Sequence, residues 1–489
     1  MDRAVRADAL LIGDIFTTTA AAVPGRTAVA LGDRSLTFAE LDARANQVAR
    51  ALEALGIGHG STVALWAATT LEATPLFAAL AKMGAVFVPV NGLLGTDEAG
   101  AIFAACRPDL VVTDAWRPGL GQLPRRSSLA ELDQWADAHP AGPYVADGLA
   151  EDDTQVVFFT SGSTARPKGA ALSHRTNYLR SHPGALPEPR GAMVCPYPLF
   201  HMGAWTIALQ QWQARDAVIL LESAGPDEIC EAVDRHQATR LNCVPAVWQR
   251  IIDHGGRKAR SGLSGLRFAD TGTSATPPDL LAAISGIAPQ ADLRVFYGST
   301  EAGGVSCLEH RDVRRKPGSC GVPAPGGRVR REEGGELWVQ SPLLFGGYID
   351  DPAATADCLV DGWFRTGDVA DQDDEGFLRI VGRTGDLLRS GGESVMPLEV
   401  EGVLGEHPSV DQVAVVGLPD PAWGDVVCAV VVVAPGKSAP TLVELRALCA
   451  GRLAPFKHPR EVRVVDDLPR TASTGQVQRR LLVERLVAG

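Results

Sequence analysis

Residues 160–169, with the sequence TSGSTARPKG, place hydroxyl groups, glycine and one lysine in a single short loop. The apolar segment 155–159 precedes this loop, and its β-branched and aromatic residues predict a buried strand. Backbone N–H groups, hydroxyls and one ammonium at the end of a strand can converge on a polyphosphate. The spacing does not match a Walker A loop. By composition alone, a solvated surface loop is the stronger interpretation, so the phosphate hypothesis depends on the rest of the chain.

The elements around this loop show the alternation of an α/β protein. A helix is predicted over residues 41–55 by its apolar face, and Gly56 follows as a C-terminal cap. Residues 63–66, 72–83 and 86–90 then have the patterns of a strand, a helix and a strand. This order is the unit of a parallel sheet, and it recurs further along the chain.

The pattern changes in the second half of the chain. Residues 318–348 are rich in glycine, valine and turn formers, which favours a small β-rich subdomain. A polar, glycine-bearing break follows at 382–386, and the remaining hundred or so residues alternate between helix and strand again. We therefore predict an α/β fold with a large N-terminal domain (1–382) of parallel-sheet subdomains plus the β-rich subdomain. A hinge (383–386) then leads to a small, mobile α+β domain (387–489).

Length, composition and charge exclude several classes of protein. A length of 489 residues exceeds the ~50–250 of a single domain, and 45% hydrophobic residues exclude general disorder. A net charge of −12 argues against nucleic acid as the main partner. Nine scattered cysteines without a CxxC pair argue against a zinc site or a disulfide framework. With no membrane span or export signal in view, we expect a cytoplasmic protein.

Four motifs in a fixed order carry a family resemblance. Besides residues 160–169, they are YGSTE at 297–301, DGWFRTGD at 361–368 and GRTGDLLRSGGE at 382–393. Together they resemble the adenylate-forming superfamily, which includes acyl-CoA synthetases, non-ribosomal adenylation domains and luciferases. On these motifs the chain is identified as a member of that superfamily, of the acyl-CoA synthetase type.

The resemblance implies the activation of a carboxylic acid. The carboxylate attacks the α-phosphorus of ATP, which yields an acyl-adenylate and pyrophosphate, and the thiol of coenzyme A then displaces AMP. ATP, Mg²⁺ and coenzyme A are the implied cofactors, and the small-molecule acid is fatty or aromatic. Two alternatives stay open: a stand-alone adenylating enzyme that loads a carrier protein or another nucleophile, and a degenerate homologue that only binds nucleotide. A monomer and a homodimer are both compatible with the sequence.

The resemblance also implies roles for individual residues. The implied ATP and AMP contacts are Thr160, Ser161, Gly162, Ser163, Thr164, Lys168, Thr273, Ser274, Ala275, Tyr297, Gly298, Ser299, Thr300, Glu301, Asp368, Arg383 and Gln476. Within this set, the hydroxyls and Lys168 would hold the β- and γ-phosphates, and Thr300 the α-phosphate. Glu301 would bind Mg²⁺. Asp368, expected to be exposed, would accept hydrogen bonds from the ribose, which Arg383 would support. The implied catalytic residues are Thr164, Lys168, His201, Glu301 and Gln476.

Further residues are implied for the acid and for coenzyme A. The acyl pocket would contain His201, Met202, Trp205, Ala302 and Gly303, and the coenzyme A site Ser390, Gly391, Gly392 and Lys457. Asp386 would be the pivot of the hinge. For His201 the alternative is a buried histidine satisfied by backbone groups, and for Lys457 it is a solvated lysine.

Gln476 departs from the family pattern. Members carry a lysine at this place, after the glycine that is Gly475 here, and that lysine contacts the carboxylate and the α-phosphate during adenylation. Glutamine donates hydrogen bonds but brings no charge, so slower adenylation is expected. An altered chain that traps the adenylate, a natural member with weak adenylation and a member with another use for acyl-adenylates all remain open.

Overall fold

The computed structural model describes residues 9–115, 125–160, 167–182, 190–390, 393–420, 424–471 and 476–488. The chain divides into two compact units. The first unit comprises Met1–Pro317, Ala324–Gly327 and Gln340–Phe364. The second unit comprises Gly318–Pro323, Arg328–Val339 and Arg365–Gly489. Most of the predicted β-rich segment thus groups with the C-terminal residues, and the hinge at 383–386 remains a prediction.

The helices and strands alternate along most of the chain. The helices are α1 (Ile12–Ala22), α2 (Phe38–Ala54), α3 (Ala73–Met83), α4 (Thr96–Cys106), α5 (Leu129–Ala136), α6 (His174–Ser181), α7 (Met202–Gln213), α8 (Pro226–Arg235), α9 (Pro245–Gly262), α10 (Pro278–Ile287), α11 (His310–Val313), α12 (Pro352–Cys358), α13 (Pro397–Leu404), α14 (Leu442–Cys449) and α15 (Arg479–Ala488). Short 3₁₀ turns occur at Glu333–Gly335, Thr384–Asp386 and Pro455–Lys457.

The strands form the sheets to which these helices connect. They are β1 (Thr27–Leu31), β2 (Arg34–Thr37), β3 (Thr62–Ala67), β4 (Val86–Asn91), β5 (Leu110–Thr113), β6 (Arg126–Ser128), β7 (Thr154–Thr160), β8 (Lys168–Ser173), β9 (Met193–Cys195), β10 (Val218–Leu220), β11 (Arg240–Cys243), β12 (Phe268–Gly272), β13 (Asp292–Ser299), β14 (Gly303–Leu308), β15 (Val322–Pro323), β16 (Arg328–Arg331), β17 (Glu336–Gln340), β18 (Gly347–Tyr348), β19 (Leu359–Val360), β20 (Trp363–Gln372), β21 (Leu378–Arg383), β22 (Leu388–Ser390), β23 (Glu393–Val395), β24 (Val410–Asp420), β25 (Gly424–Val433) and β26 (Glu461–Val464).

Two sheets organise the first unit. In one sheet the strands follow the order β14–β13–β12–β11–β9–β10–β1–β2, with parallel pairing from β13 through to β1. In the other the order is β18–β8–β7–β4–β3–β5–β6, with parallel pairing from β7 to β6 and antiparallel β8 and β18 at one end. The predicted α/β class is confirmed.

Local sequence accounts for the start of α2 and for the end of α3 in the β3–α3–β4 unit. Thr37 caps α2 in a capping box with Glu40, an arrangement that contributes about 1 kcal/mol. The α3 helix ends at Gly84, whose φ of 74° favours a residue without a side chain. A Cβ at this position would also lie 2.7 Å from His59 Cδ2. The chain therefore turns sharply from α3 into β4, as the sequence predicts.

Aromatic side chains fill the core of the first unit. The Phe77 ring of α3 stacks on Trp205 of α7, with centroids 4.3 Å apart and planes 17° apart. Phe87 meets Trp205 edge to face at 5.2 Å, and Phe16 of α1 lies 5.1 Å from Trp212. All five side chains are almost fully buried. Because each such ring buries 150–250 Å² in general, this cluster holds α1, α3 and α7 against the sheet strands.

The second unit contains two further sheets. One pairs β16, β17 and β20, with β21 beside β20, and the other follows the order β23–β22–β25–β24, with β26 beside β25. Val427 and Val431 of β25 pack with α13 and α14 on one face, while Val430 packs with Leu482 of α15 on the other. The predicted small C-terminal domain with mixed helices and strands is confirmed. Within the described ranges, no helix is long and apolar enough to cross a membrane.

Candidate active site

Several predicted site residues follow parallel strands at one edge of the first sheet. The strands β9, β11, β12 and β13 are parallel neighbours, so their carboxyl ends meet at one edge. His201 follows β9, the loop Thr273, Ser274 and Ala275 follows β12, and Thr300 follows β13. This edge is where open α/β sheets bind ligands. The sheet order thus brings residues that are a hundred positions apart in sequence to one edge.

The backbone is conformationally constrained where the loop after β12 begins. Thr273 has a φ of 67°, and its hydroxyl donates to the Gly272 carbonyl over 2.6 Å. A Cβ on Gly272 would clash with the Phe296 carbonyl oxygen of β13, so glycine is needed where the two strands meet. Thr273, Ser274 and Ala275 are exposed, as a loop that contacts a ligand must be. Their contact with adenine stays a prediction.

The YGSTE motif forms the end of β13 and the turn that follows. Tyr297 is half-buried, and Gly298 lies against the backbone of Gly303, where a Cβ would clash with a carbonyl oxygen. The Ser299 hydroxyl accepts a hydrogen bond of 3.1 Å from Ala302 N. These contacts fold the chain back tightly, so that Thr300 and Glu301 sit at the tip of the turn.

Glu301 is held by a residue that sequence reasoning did not single out. The Tyr348 hydroxyl donates a hydrogen bond of 2.9 Å to Glu301 Oε1. The Lys168 Nζ lies 5.3 Å from the centroid of the same tyrosine ring. Burial, and secondarily the Glu301 carboxylate, raises the pKa of Tyr348, so its hydroxyl stays protonated and can donate. We call Lys168, Tyr348 and Glu301 the phosphate cluster.

The predicted phosphate loop joins β7 to this cluster. Thr160 and Lys168 are opposite each other in the antiparallel pair β7–β8, so they bracket the loop. The structure therefore places both ends of the loop beside the phosphate cluster. The predicted contacts Ser161, Gly162, Ser163 and Thr164 lie outside the described residues.

His201 is the N-cap residue of α7 and is oriented by its surroundings. Its Nδ1 accepts a hydrogen bond of 3.0 Å from Gly203 N, and its ring stacks on Tyr197 with centroids 5.6 Å apart. The Tyr197 hydroxyl in turn donates to Asn242 Oδ1 of β11 over 2.9 Å. Burial lowers the pKa of His201 to about 4, so the ring is neutral near pH 7. A neutral ring with Nδ1 occupied leaves Nε2 as a donor.

The remaining predicted acyl-pocket residues are distributed around α7 and the YGSTE turn. Trp205 lies in the aromatic core, where its Nε1 donates to the Leu199 carbonyl over 2.5 Å. Met202 is half-buried at the start of α7, and Ala302 is fully buried beside Gly303. Trp205 therefore packs as a core residue, and the part that these residues play in holding an acid stays a prediction.

The predicted ribose residues pair within the second unit. Asp368 of β20 lies opposite Arg383 of β21, and Arg383 Nε donates to Asp368 Oδ1 over 2.8 Å. Asp368 is only 7% exposed, which differs from the exposed carboxylate that the motif led us to expect. The Thr366 hydroxyl also accepts from Asp368 N over 3.0 Å. The carboxylate is thus held in place before any ligand binds.

Replacing Asp368 by alanine is expected to weaken ATP binding by about ten-fold or more, since a charged acceptor contributes roughly 1.5–3 kcal/mol. Because the exposed Arg383 remains solvated, stability should fall only modestly, by about 1 kcal/mol. Calorimetric titration with ATP measures the first effect and thermal unfolding the second. Asp371→Ala, an exposed carboxylate on the same strand, is the matched control. Unchanged ATP affinity in a folded Asp368→Ala protein would remove this residue from the site.

The predicted coenzyme A residues are only partly described. Ser390 is 1% exposed, and among the described residues its hydroxyl has no hydrogen-bond partner. Lys457 forms an ion pair with Glu399 and is half-buried, so it is not simply a solvated lysine. Gly391 and Gly392 lie outside the described residues.

The predicted pivot carries an ion pair. Asp386 ends the 3₁₀ turn Thr384–Asp386, and its Oδ2 lies 2.9 Å from Arg479 Nη1. Arg479 also pairs with Glu401 over 2.7 Å. Arg479 is therefore already engaged by two carboxylates, which opposes its use as a substitute for the lysine that the family resemblance predicts at position 476.

Replacing Asp386 by proline is expected to impair thioester formation more than adenylation, because proline fixes φ at the proposed pivot. The two half-reactions are measured separately, as pyrophosphate release and as thioester formed from a supplied acyl-adenylate. Asp386→Ala is the matched control, since it removes the ion pair with Arg479 but leaves φ free. Equal losses in both half-reactions would remove Asp386 from the hinge role.

Gln476 lies near the C-terminus, where the backbone pairs with residues 470 and 471. Arg470 and Val477 form an antiparallel bridge, and Thr471 N donates to the Gln476 carbonyl over 2.8 Å. The Gln476 side chain is exposed. Position 476 is thus exposed to solvent next to a short antiparallel backbone pairing.

Comparison with known families agrees with these features. Residues 16–349 match the family described as AMP-binding enzyme, and residues 399–474 match the family described as AMP-binding enzyme C-terminal domain. The chain belongs to the AMP-binding enzyme family, which confirms the adenylate-forming superfamily that the four motifs indicated.

Individual relatives are similar to this chain over nearly its whole length. An indoleacetate–CoA ligase of Aromatoleum aromaticum is 34% identical, with 92% of this chain and 93% of the relative covered. A feruloyl-CoA synthase of an Amycolatopsis species is 37% identical, with 94% and 96% covered. The ATP-bound crystal structure of MatB from Rhodopseudomonas palustris superposes with a TM-score of 0.87 at 28% identity, over 97% and 98% of the two chains. The chain is accordingly an AMP-forming acid–thiol ligase that uses ATP and coenzyme A.

Proposed function

We propose that this protein joins an aromatic carboxylic acid to coenzyme A in a Mg²⁺-dependent reaction, with an adenylation step slowed by Gln476. The phosphate cluster carries this proposal, because it gathers an ammonium, a phenol and a carboxylate at the ends of the phosphate loop. The aromatic class of the acid is supported by the indoleacetate and feruloyl relatives.

Lys168 would neutralise the β- and γ-phosphates. Its ammonium lies on the first residue of β8, directly after the loop, and over the Tyr348 ring. This cation would neutralise the charge that develops on pyrophosphate as the P–O bond to the α-phosphorus breaks. Lysine serves this purpose as a point charge on a flexible stem.

Glu301 fits a magnesium ion that the substrate shares. The described residues contain no group of three or more His, Cys, Asp or Glu that could hold a metal by themselves. Mg²⁺ is commonly bound by one or two carboxylates together with substrate phosphates, and Glu301 supplies one such carboxylate. Bound there, Mg²⁺ would neutralise phosphate charge. Tyr348 binds Glu301 Oε1, and no hydrogen bond to Oε2 is found within the part of the chain that the structure describes.

His201 would lie beside the acid. Its neutral ring, with Nδ1 occupied by Gly203 N, can donate from Nε2 to a carboxylate oxygen. The acid's other oxygen attacks the α-phosphorus and pyrophosphate leaves. The thiolate of coenzyme A then attacks the acyl carbon, and AMP leaves with the electrons of the C–O bond.

A panel of acids tests the proposal. The full chain is incubated with ATP, Mg²⁺, coenzyme A and one of indoleacetate, ferulate, benzoate or a long-chain fatty acid, and products are identified by mass spectrometry. Aryl-CoA products that need Mg²⁺ are expected. Preference for the fatty acid would overturn the aromatic class. A carrier protein in place of coenzyme A distinguishes the carrier-loading alternative. Absence of acid-dependent ATP–pyrophosphate exchange would favour a degenerate homologue that only binds nucleotide.

A further inference from the structure

We infer that Arg180 is a positioning residue that holds Thr300 and Glu301 in the geometry needed for Mg²⁺–ATP. The inference rests on the proposed function of Glu301. Arg180 is the penultimate residue of α6 and is only 8% exposed. Nothing in the four motifs pointed to it.

The guanidinium of Arg180 binds backbone carbonyls on two separate segments. Nη1 donates to the Thr300 carbonyl over 2.8 Å, and Nη2 donates to the Glu301 carbonyl over 3.0 Å. Nε and Nη2 also donate to the Leu343 carbonyl over 2.8 and 2.6 Å. One planar group thus ties the turn that carries Glu301 to the segment before β18. Such a fork orients its acceptors in a way that a single ammonium cannot.

Two further features stabilise the connection between Arg180, the Glu301 turn and the segment before β18. Phe345 N donates to the Glu301 carbonyl over 2.8 Å, so that carbonyl accepts both from Arg180 of α6 and from the segment before β18. Gly303 has a φ of 71°, and a Cβ there would lie 2.9 Å from Arg180 Nε. Glycine at this position therefore leaves the space that the guanidinium occupies.

The guanidinium of Arg180 is a buried positive charge that donates its hydrogen bonds to carbonyl oxygens. Among the described residues, every hydrogen bond recorded for its guanidinium goes to a carbonyl oxygen. Burial lowers the pKa of Arg180 to about 9, and the nearby Glu301 carboxylate opposes this lowering, so the group is charged near pH 7. A buried charge satisfied by carbonyls is costly to form, and here it supports a functional turn.

Chain connectivity links this tie to the phosphate lysine. Lys168 begins β8, and Ser173 ends it and caps α6 through a hydrogen bond of 3.1 Å from Thr176 N. Arg180 therefore belongs to the same strand–helix unit as Lys168, and it fastens that unit to Glu301. Its loss should misplace the carboxylate relative to the ammonium.

The expected defect is confined to steps that involve the polyphosphate. An acyl-adenylate carries neither the β- and γ-phosphates nor the need for Mg²⁺ that they create. Thioester formation from a supplied acyl-adenylate should therefore proceed near the parent rate when Arg180 is changed. A general loss of folding would slow both half-reactions alike.

The test compares Arg180→Met and Arg180→Lys with the parent chain. The Kd for Mg²⁺–ATP is measured by calorimetric titration, and thioester formation from synthetic acyl-adenylate is measured beside it. Arg180→Met should raise the Kd by about 10- to 100-fold, the usual range for a residue that supports a metal ligand. Arg180→Lys keeps the charge without the fork, so a smaller shift in the same direction is expected. It also serves as the readout if Arg180→Met does not fold.

Arg240→Met is the matched control. Arg240 is 6% exposed on β11, and its guanidinium lies 5.3 Å from the Phe268 ring. Its replacement should lower stability but leave the Mg²⁺–ATP affinity unchanged. An unchanged Kd in the Arg180 variants, or equal shifts in the Arg240 variant, would overturn the role of Arg180. Absence of acid-dependent pyrophosphate exchange in the parent chain would instead overturn the proposed function.

Discussion

Replacing Gln476 by lysine should raise the adenylation rate by at least about ten-fold, since a charge-assisted contact to a reacting phosphate is worth roughly 3–4 kcal/mol. Glutamine can donate a hydrogen bond but cannot neutralise developing negative charge. Arg479, three residues further along, cannot compensate because Asp386 and Glu401 already bind it. Pyrophosphate release by both forms measures the effect.

Thioester formation from synthetic acyl-adenylate should change little in the Gln476→Lys protein, because the family resemblance assigns this lysine to the first half-reaction. Gln478→Lys is the matched control, since it adds the same charge two residues along the chain. If Gln476→Lys gains nothing in pyrophosphate release, position 476 is not a lost catalytic lysine. A chain specialised for another use of acyl-adenylates would then be the better explanation.

The second large effect is expected at Glu301. Changing it to glutamine keeps its size and a hydrogen-bond acceptor for Tyr348 but removes the charge. Adenylation should fall by about 10²–10³, as when one electrostatic contact to the transition state is lost. The remaining activity should need a higher Mg²⁺ concentration, which a titration of pyrophosphate release against Mg²⁺ measures.

Glu309→Gln provides the control for Glu301→Gln. Glu309 is exposed and precedes α11, so its loss changes the net charge equally without touching the phosphate cluster. Thioester formation from acyl-adenylate should be retained in both variants. Equal adenylation by Glu301→Gln and the parent chain would contradict the magnesium role of Glu301.

Local patterns in the sequence were sufficient to predict these helices and strands. The predicted strand, helix and strand at 63–66, 72–83 and 86–90 correspond to β3, α3 and β4. Gly84 ends α3 because its backbone adopts a positive φ, a property of the residue itself. The period of apolar residues, the helix caps and the glycines at turns depend only on residues that are close in sequence. They can therefore be recognised without a structure.

The motifs likewise identified the family. They also predict Lys168 and Glu301 as site residues, because the chemistry of these side chains is visible in their immediate sequence context. They did not reveal the burial of Asp368 or its pairing with Arg383. That pair depends on the register of β20 against β21, which places residues 15 positions apart opposite each other.

By itself, the sequence determined the α/β class and the family, and it predicts slower adenylation from Gln476. Only the tertiary structure decided what holds Glu301 in place. Tyr348 lies 47 positions from Glu301, and Arg180 lies 120 positions from Thr300. These partners meet because two sheets with non-sequential strand order bring β13, β18 and α6 together. The residues next to a tyrosine or an arginine in sequence do not indicate such contacts, because hydrogen bonds across the fold depend on position in space.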